Sequence, residues 1–184
     1  MENKKYTFVL DVDGVLTDGS FLYDSNGKAY KVFGPDDADA LKALSKFVNI
    51  VFTSQDKRGF LISKKRVEDM GFTLENVGSK DRVNFMEENY GLENCIYMGD
   101  SFLDVPALCA AEYGISTCAS DPLAQQWSDY VTEREGGHRA VSEACFWIAK
   151  NILNLSTEEF LGFNADSIFE EYRKKRWDKD EESR

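Results

Sequence analysis

Tyr6-Thr7-Phe8-Val9-Leu10 runs directly into Asp11-Val12-Asp13-Gly14, and this junction decides the fold. The first part is a short, apolar, β-prone run of the kind that forms a buried strand. It stops at two carboxylates one residue apart, where Gly14 supplies the freedom that a tight turn requires. A strand that ends abruptly in acid sets the pattern for the rest of the chain.

Working outward, Ser20–Tyr23 and Lys28–Phe33 flank Asp24-Ser25-Asn26-Gly27. Two extended runs joined through Asn-Gly predict a β-hairpin. Pro35-Asp36-Asp37 then opens a helix with Ala40, Leu41, Leu44, Phe47 and Val48 on one face. Asn49–Phe52 is the next strand and ends at Thr53-Ser54; a charged amphipathic helix follows to Met70, stopped by Gly71. Phe72–Val77 leads to Gly78-Ser79-Lys80, Asp81–Tyr90 reads as helix, and Cys95–Met98 is an apolar strand entering Gly99-Asp100. A helix at Val105–Glu112, a strand at Gly114–Cys118, a short helix after Pro122, a strand at Asp129–Thr132 and a helix from about Arg139 to Leu153 complete the alternation. Strands separated by helices predict an α/β fold, a three-layer, doubly wound Rossmann-like parallel sheet with right-handed crossovers, from which the hairpin protrudes. Ligands of such sheets bind beyond the carboxyl ends of the strands. Four predicted strands end there in polar groups: Asp11 and Asp13, Thr53 and Ser54, Lys80, and Asp100.

The chain has 184 residues, 42% hydrophobic and 30% charged, with 33 acidic against 22 basic side chains and a net charge of −11. That balance argues against broad nucleic-acid or anionic-membrane binding, which needs an electropositive face. A small anionic substrate is still allowed, because one metal ion and one cationic side chain can invert a local field. No apolar run reaches membrane-spanning length and no secretory signal is visible, so a cytoplasmic protein is expected. The cysteines at 95, 109, 118 and 145 form no CxxC pair. With Ile96, Leu108 and Phe146 as neighbours, they read as buried free thiols of a reducing compartment.

The rim residues suggest phosphoryl chemistry. An aspartate can accept a phosphoryl group as nucleophile, and a second acid two residues on can protonate the leaving oxygen and later activate water. Asp11, Asp13 and Asp100 repel one another unless a hard cation lies among them, and Mg²⁺ meets that need with oxygen ligands, water and substrate phosphate. Thr53 or Ser54 and Lys80 would hydrogen-bond and neutralise the phosphoryl oxygens. Taken singly, each piece also fits an ordinary turn, helix cap or surface charge; the force lies in the four occurring in order, each just past a predicted strand.

Those residues carry a resemblance. DVDGV (11–15), Thr53, Lys80 and GDSFLD (99–104) resemble the four motifs of the haloacid dehalogenase (HAD) superfamily of phosphotransferases. DVDGVLTDG with its hairpin and KVF, then YMGDSFLDVPAL, SDYVT and EGGHRAVSEAC, resemble the capless subgroup over roughly residues 6–150. That subgroup contains the 3-deoxy-D-manno-octulosonate (KDO) 8-phosphate and nonulosonate 9-phosphate phosphatases. The resemblance implies a Mg²⁺-dependent phosphatase of a small phosphorylated sugar or sugar acid, with no separate cap domain. It assigns Asp11 as nucleophile and Asp13 as acid/base. Asp11, the Asp13 main-chain carbonyl and Asp100 would be the metal ligands, Thr53, Ser54 and Lys80 would bind phosphate, and Asp104 would support the metal or Lys80. It also implies a homotetramer in which the hairpin of one subunit covers a neighbour's site; the alternative is a hairpin that extends its own sheet.

Departures from the subgroup fall at specificity positions. Asp36 stands where the subgroup has arginine, although Asp37 matches its aspartate; Thr53-Ser54-Gln55 replaces threonine-glycine-arginine. His138 or Arg139, after the retained Gly136-Gly137, could restore a positive contact. The expected organisation is a core over 1–153, with its hairpin at about 19–33, and a helical, charged tail over 154–184. In the tail Thr157–Leu161 and Asp166–Trp177 read as amphipathic helices with aromatic anchors, and Arg173–Arg176 is a basic run. Two other functions are open to such a chain: a phosphorylation-controlled regulatory module and a non-catalytic oligomeric scaffold. The paired acids on the first strand argue against the former, and the retained Asp11, Asp13, Lys80 and Asp100 against the latter.

Overall fold

The computed structural model describes residues 5–174. Its elements run β1 (Thr7–Leu10), β2 (Leu22–Asp24), β3 (Gly27–Tyr30), α1 (Asp36–Leu44), β4 (Asn49–Ser54), α2 (Phe60–Asp69), β5 (Thr73–Asn76) and α3 (Arg82–Tyr90). There follow β6 (Cys95–Met98), α4 (Val105–Ala110), β7 (Tyr113–Ser116), α5 (Pro122–Gln126), β8 (Tyr130–Val131), α6 (Ala140–Asn151), α7 (Thr157–Leu161) and α8 (Ala165–Ile168). Six strands form one sheet in the order β5-β4-β1-β6-β7-β8, every neighbouring pair parallel. The expected doubly wound α/β architecture is what forms.

β1 is the centre of that sheet, hydrogen-bonded to β4 on one side and β6 on the other. The chain winds outward from it in both directions, so the carboxyl end of β1 is the topological switch point where a crevice opens. Each residue of Thr7–Leu10 is buried, which accounts for the unbroken apolar run. Val9, Cys95 and Tyr97 pack with Met86 of α3, Ala107 and Leu108 of α4 and Ala124 of α5. The alternate residues Phe8, Leu10, Ile96 and Met98 are fully buried on the other face.

The hairpin β2–β3 pairs antiparallel and forms a separate two-stranded sheet, so it does not extend the main one. It is shorter than the predicted strands, because Val32 and Phe33 lie past its last ladder pair.

Two compact units divide the chain, one ending at Cys145 and one beginning at Phe146. In the second, Ser156 and Glu159 make a capping box at the start of α7, and Gly162 ends it with a left-handed φ of 76°. Phe160 is buried and meets Phe146 edge-to-face with ring centroids 5.0 Å apart, while Phe163, Ile168, Phe169 and Tyr172 are exposed. α8 widens into π-type turns over Phe169–Lys174; the remainder of the predicted helix and basic run, Lys175 to Trp177, lies outside the described residues.

The reading of buried thiols needs correction. Cys95 and Cys145 are buried, but Cys109 and Cys118 are exposed, and all four are free. In α4 the core takes Leu108, and the next residue points about 100° around the helix, toward solvent. Among the described residues no helix is long and apolar enough to cross a membrane.

Candidate active site

β1 delivers Asp11 to the rim, where its backbone N–H donates to the Met98 carbonyl at 2.9 Å. The chain then turns through Gly14 at a φ of +84°, a conformation that L side chains resist. A Cβ there would sit 1.9 Å from Asp100 Oδ2, so the glycine is also what lets the β6 loop approach β1. Gly99, Ser101 and Asp104 shape that loop. Asp104 Oδ2 accepts from the backbone N–H groups of Asp100 (3.2 Å) and Ser101 (3.0 Å).

Asp11, Asp13, Ser54, Gln55, Asp56, Arg82, Asp100 and Asp104 surround one cavity of about 350 Å³, closed on the hairpin side by Phe21 and Lys28. The first and fourth sequence motifs therefore converge as expected, and of the second Ser54 reaches the lining while Thr53 does not. The third converges through a different residue. Lys80 is exposed and lies outside the cavity lining. Two residues further on, at the start of α3, Arg82 is buried; its Nη2 donates to Asp11 Oδ1 at 3.0 Å, and its Nη1 to Asp104 Oδ1 and the Tyr97 hydroxyl. Tyr97 in turn donates to Asp104 Oδ1 at 2.7 Å. The physical reason is phase. The loop after β5 runs on through Lys80 and Asp81, and the first inward-facing position of α3 is 82. The signal was present in the sequence as Arg82 at the head of a predicted helix, with Met86 four residues later on the same face.

Motif two is also redistributed. Thr53 is fully buried and its hydroxyl donates to the Leu10 carbonyl at 3.4 Å, whereas Ser54 lines the cavity. Gln55 lines it too, and its Oε1 accepts from the Ser79 N–H at 3.2 Å. Asp36 is exposed and ion-paired to Arg139 at 2.8 Å, so the arginine considered for a compensating contact is engaged there. His138 Nδ1 lies 3.1 Å from the Gly136 carbonyl oxygen, and both His138 and Arg139 stand outside the cavity. Asp37 is buried and its Oδ1 accepts from the Ser142 N–H at 2.8 Å.

Sequence reasoning passed over the hairpin's lysines. Lys31, fully buried in its side chain, lies 2.7 Å from Asp13 Oδ1 and 2.8 Å from Asp56 Oδ2. Lys28 lies 2.6 Å from Asp56 Oδ2 and 3.2 Å over the Phe21 ring. The hairpin thus serves its own chain's site. Its KVF segment carried the signal, as a lysine within an otherwise apolar strand end.

The electrostatics suit a cation. Burial, followed by the charge of Asp104, pushes Asp100 up to about 7. Burial raises Asp11 well above the usual carboxylate range, opposed by Arg82 and reinforced by Asp104, Asp100 and Asp13. Lys28 and Lys31 outweigh burial at Asp56 and hold it down at about 2. Acids so reluctant to ionise are matched by a divalent ion among them. Among the described residues no three His, Cys, Asp or Glu side chains form a ready cluster. A Mg²⁺ that takes two carboxylates, a main-chain carbonyl and waters does not require one.

No protein-family profile matches the chain. It is 30% identical over 148 residues to the KDO 8-phosphate phosphatase KdsC of Haemophilus influenzae, a match covering 78% of this chain and 81% of that protein. The KDO 8-phosphate phosphatase of Moraxella catarrhalis, whose crystal structure contains a magnesium ion, a phosphate ion and KDO, has 28% identity and a TM-score of 0.69, over 80% of this chain and 87% of that one. A structure described as a HAD superfamily (subfamily III A) hydrolase from Legionella pneumophila has 27% identity and a TM-score of 0.69, over 79% and 83%. Identity and coverage of this order decide the family: the chain belongs to the KdsC-type hydrolases of the HAD superfamily.

Proposed function

We propose that the protein is a Mg²⁺-dependent phosphomonoesterase acting on KDO 8-phosphate or a closely related sugar-acid phosphate through an aspartyl-phosphate. The carrying observation is the convergence of Asp11, Asp13, Asp100 and Arg82 on one cavity at the switch point of the sheet. Magnesium, phosphate and KDO in the Moraxella catarrhalis relative support the metal and the substrate class.

In this reading Asp11 attacks phosphorus and Asp13 hands a proton to the departing sugar oxygen. Asp13 then removes a proton from the water that hydrolyses the aspartyl-phosphate, releasing Asp11. Asp11, the Asp13 carbonyl and Asp100 would hold the metal, and the ion, when bound, would supply charge that screens Asp11 from the phosphate dianion. Ser54 and the backbone around Thr53 receive phosphoryl oxygens. Arg82, in place of Lys80, neutralises and orients Asp11 while Asp104 fixes the guanidinium. Lys28 at the cavity wall is a cation for the carboxylate of a sugar acid, a need that Asp36 and Gln55 cannot meet. Exposed Leu22, Tyr23, Tyr30 and Val32 on the hairpin give a homotetramer an apolar surface to bury.

The test is Mg²⁺-dependent phosphate release from a panel headed by KDO 8-phosphate and nonulosonate 9-phosphates, with Asp11→Asn as the blank. Turnover of one sugar-acid phosphate that the blank lacks supports the reading. Turnover confined to other phosphates removes the substrate and keeps the chemistry, and silence across the panel removes both.

A further inference from the structure

Both carboxylate oxygens of Asp13 lie against one ammonium. Its Oδ2 accepts a hydrogen bond from Lys31 Nζ at 2.8 Å. Its Oδ1 lies 2.7 Å from the same nitrogen as an ion pair but is buried with no hydrogen-bond partner among the described residues. Asp13 lines the cavity, and Lys31 does not reach the cavity surface.

The ammonium is itself held fast. Lysine offers three N–H donors and no acceptor. At Lys31 three acceptor groups are within reach: the Asp13 carboxylate, with Oδ1 at 2.7 Å and Oδ2 at 2.8 Å, Ser63 Oγ at 2.8 Å and Asp56 Oδ2 at 2.8 Å. Asp56 is in turn tied to Lys28 at 2.6 Å and accepts from the Gly59 N–H at 3.1 Å. Hairpin and α2 thereby fix the ammonium from two directions, through acceptors that are not part of the reaction.

We propose that Lys31 is the positioning residue for the acid/base. It holds the Asp13 carboxylate by both oxygens at the cavity wall, so that the carboxyl meets the leaving oxygen of the substrate in one orientation. This inference rests on the phosphatase reading above and adds to it a residue from the hairpin, acting within its own chain. Proton flow stays balanced: as the ester P–O bond breaks, the proton on the Asp13 carboxyl passes to the sugar oxygen. In the second half-reaction the Asp13 carboxylate takes a proton from water as the new P–O bond forms and the Asp11 carboxylate leaves. Lys31 gains and loses nothing.

The experiment compares esters whose leaving groups differ in their need for a proton. An alkyl phosphate needs one; p-nitrophenyl phosphate, which releases a stabilised phenolate, does not. The parameter is kcat/KM, which extends only through departure of the leaving group. In Lys31→Met, kcat/KM for KDO 8-phosphate, or for the alkyl phosphate that wild type turns over best, falls about 100-fold, the usual cost of a misplaced reacting group. For p-nitrophenyl phosphate it changes less than about 3-fold, because general acid assistance is not used. Ser63→Ala, which removes one anchor of Lys31, shifts the alkyl-to-aryl ratio in the same direction by a smaller factor, and it decides the matter if Lys31→Met does not fold. Equal losses on both esters, or an unchanged ratio in the folded variants, overturn the clamp. Wild type inactive on every ester with Mg²⁺ present overturns the phosphatase reading and the clamp with it. Wild type active with an unchanged ratio overturns the clamp alone.

Discussion

Arg82 Nη2 lies 3.0 Å from Asp11 Oδ1, while the other arm of the same guanidinium binds Asp104. One buried cation therefore ties the end of β1 to the turn that follows β6. A planar fork can hold two separate carboxylates at once, whereas an ammonium is a point charge on a flexible stem. Burial of Arg82 and Asp104 makes the contact costly to break, since the acid left behind has no water to turn to.

Arg82→Met accordingly lowers kcat/KM by about 100-fold, on the scale of losing one preorganised electrostatic contact. It also destabilises the fold by about 3 kcal/mol through the orphaned acids, to be read from thermal unfolding. Lys80→Ala leaves kcat/KM within about 2-fold of wild type, as exposed charges do when they contact nothing critical. Inactivation by Lys80→Ala, with Arg82→Met active, would restore the original motif assignment.

The acid cluster sets a pH dependence in metal-free protein. Asp100 sits at about 7 in the fold against an ordinary 3.8, and Asp11 is raised as well. A carboxyl raised by folding contributes stability that is complete below its unfolded value and is lost as pH climbs through its folded one. The melting temperature of EDTA-treated protein therefore declines from about pH 4 to about pH 8, and Mg²⁺ restores it most at the upper end. Asp56, held at about 2, acts oppositely: its contribution is present above 3.8 and fades as pH falls toward 2. A flat profile in EDTA, tracked by calorimetry, would contradict the arrangement.

Gly14→Ala is expected to remove the metal site while leaving the sheet intact. The added methyl would fall 1.9 Å from Asp100 Oδ2, and the φ of +84° disfavours any side chain. Mg²⁺ affinity drops by at least about 10-fold, the scale of a disturbed ligand environment, with far-ultraviolet circular dichroism unchanged. Isothermal titration measures it; wild-type affinity would mean that the loop can move aside freely.

Thiol accessibility checks the core. Ellman's reagent should titrate Cys109 and Cys118 in the native protein and reach Cys95 and Cys145 only after denaturation. Burial raises the Cys95 thiol to about 12 and also raises that of Cys145, which further suppresses reaction. Four equivalents reacting quickly under native conditions would contradict the packing.

Most of the architecture was legible because period and punctuation coincide. Phe8–Leu10 and Ile96–Met98 are uninterrupted apolar runs ended by acid, and Asn26-Gly27 marks the hairpin. Legibility failed wherever the phase of a helix or the path of a loop decided the outcome. Lys80 matched a motif by order alone, yet the first inward position of α3 is 82. Cys109 had apolar neighbours in sequence, but its own direction from α4 is outward. Neighbours along a chain share composition, and a helix sends consecutive side chains to different surroundings.

The sequence by itself determined the doubly wound sheet, the crevice beyond β1 and the acids that stand in it, since strand ends and turn residues are local properties. Only the tertiary structure decided which cations answer those acids. Arg82 reaches Asp11 across 71 residues and Lys31 reaches Asp13 across 18, from an inward helix face and a folded-back hairpin. Electrostatic pairing acts through space over a few ångströms, and the distance that matters exists only once the chain has folded.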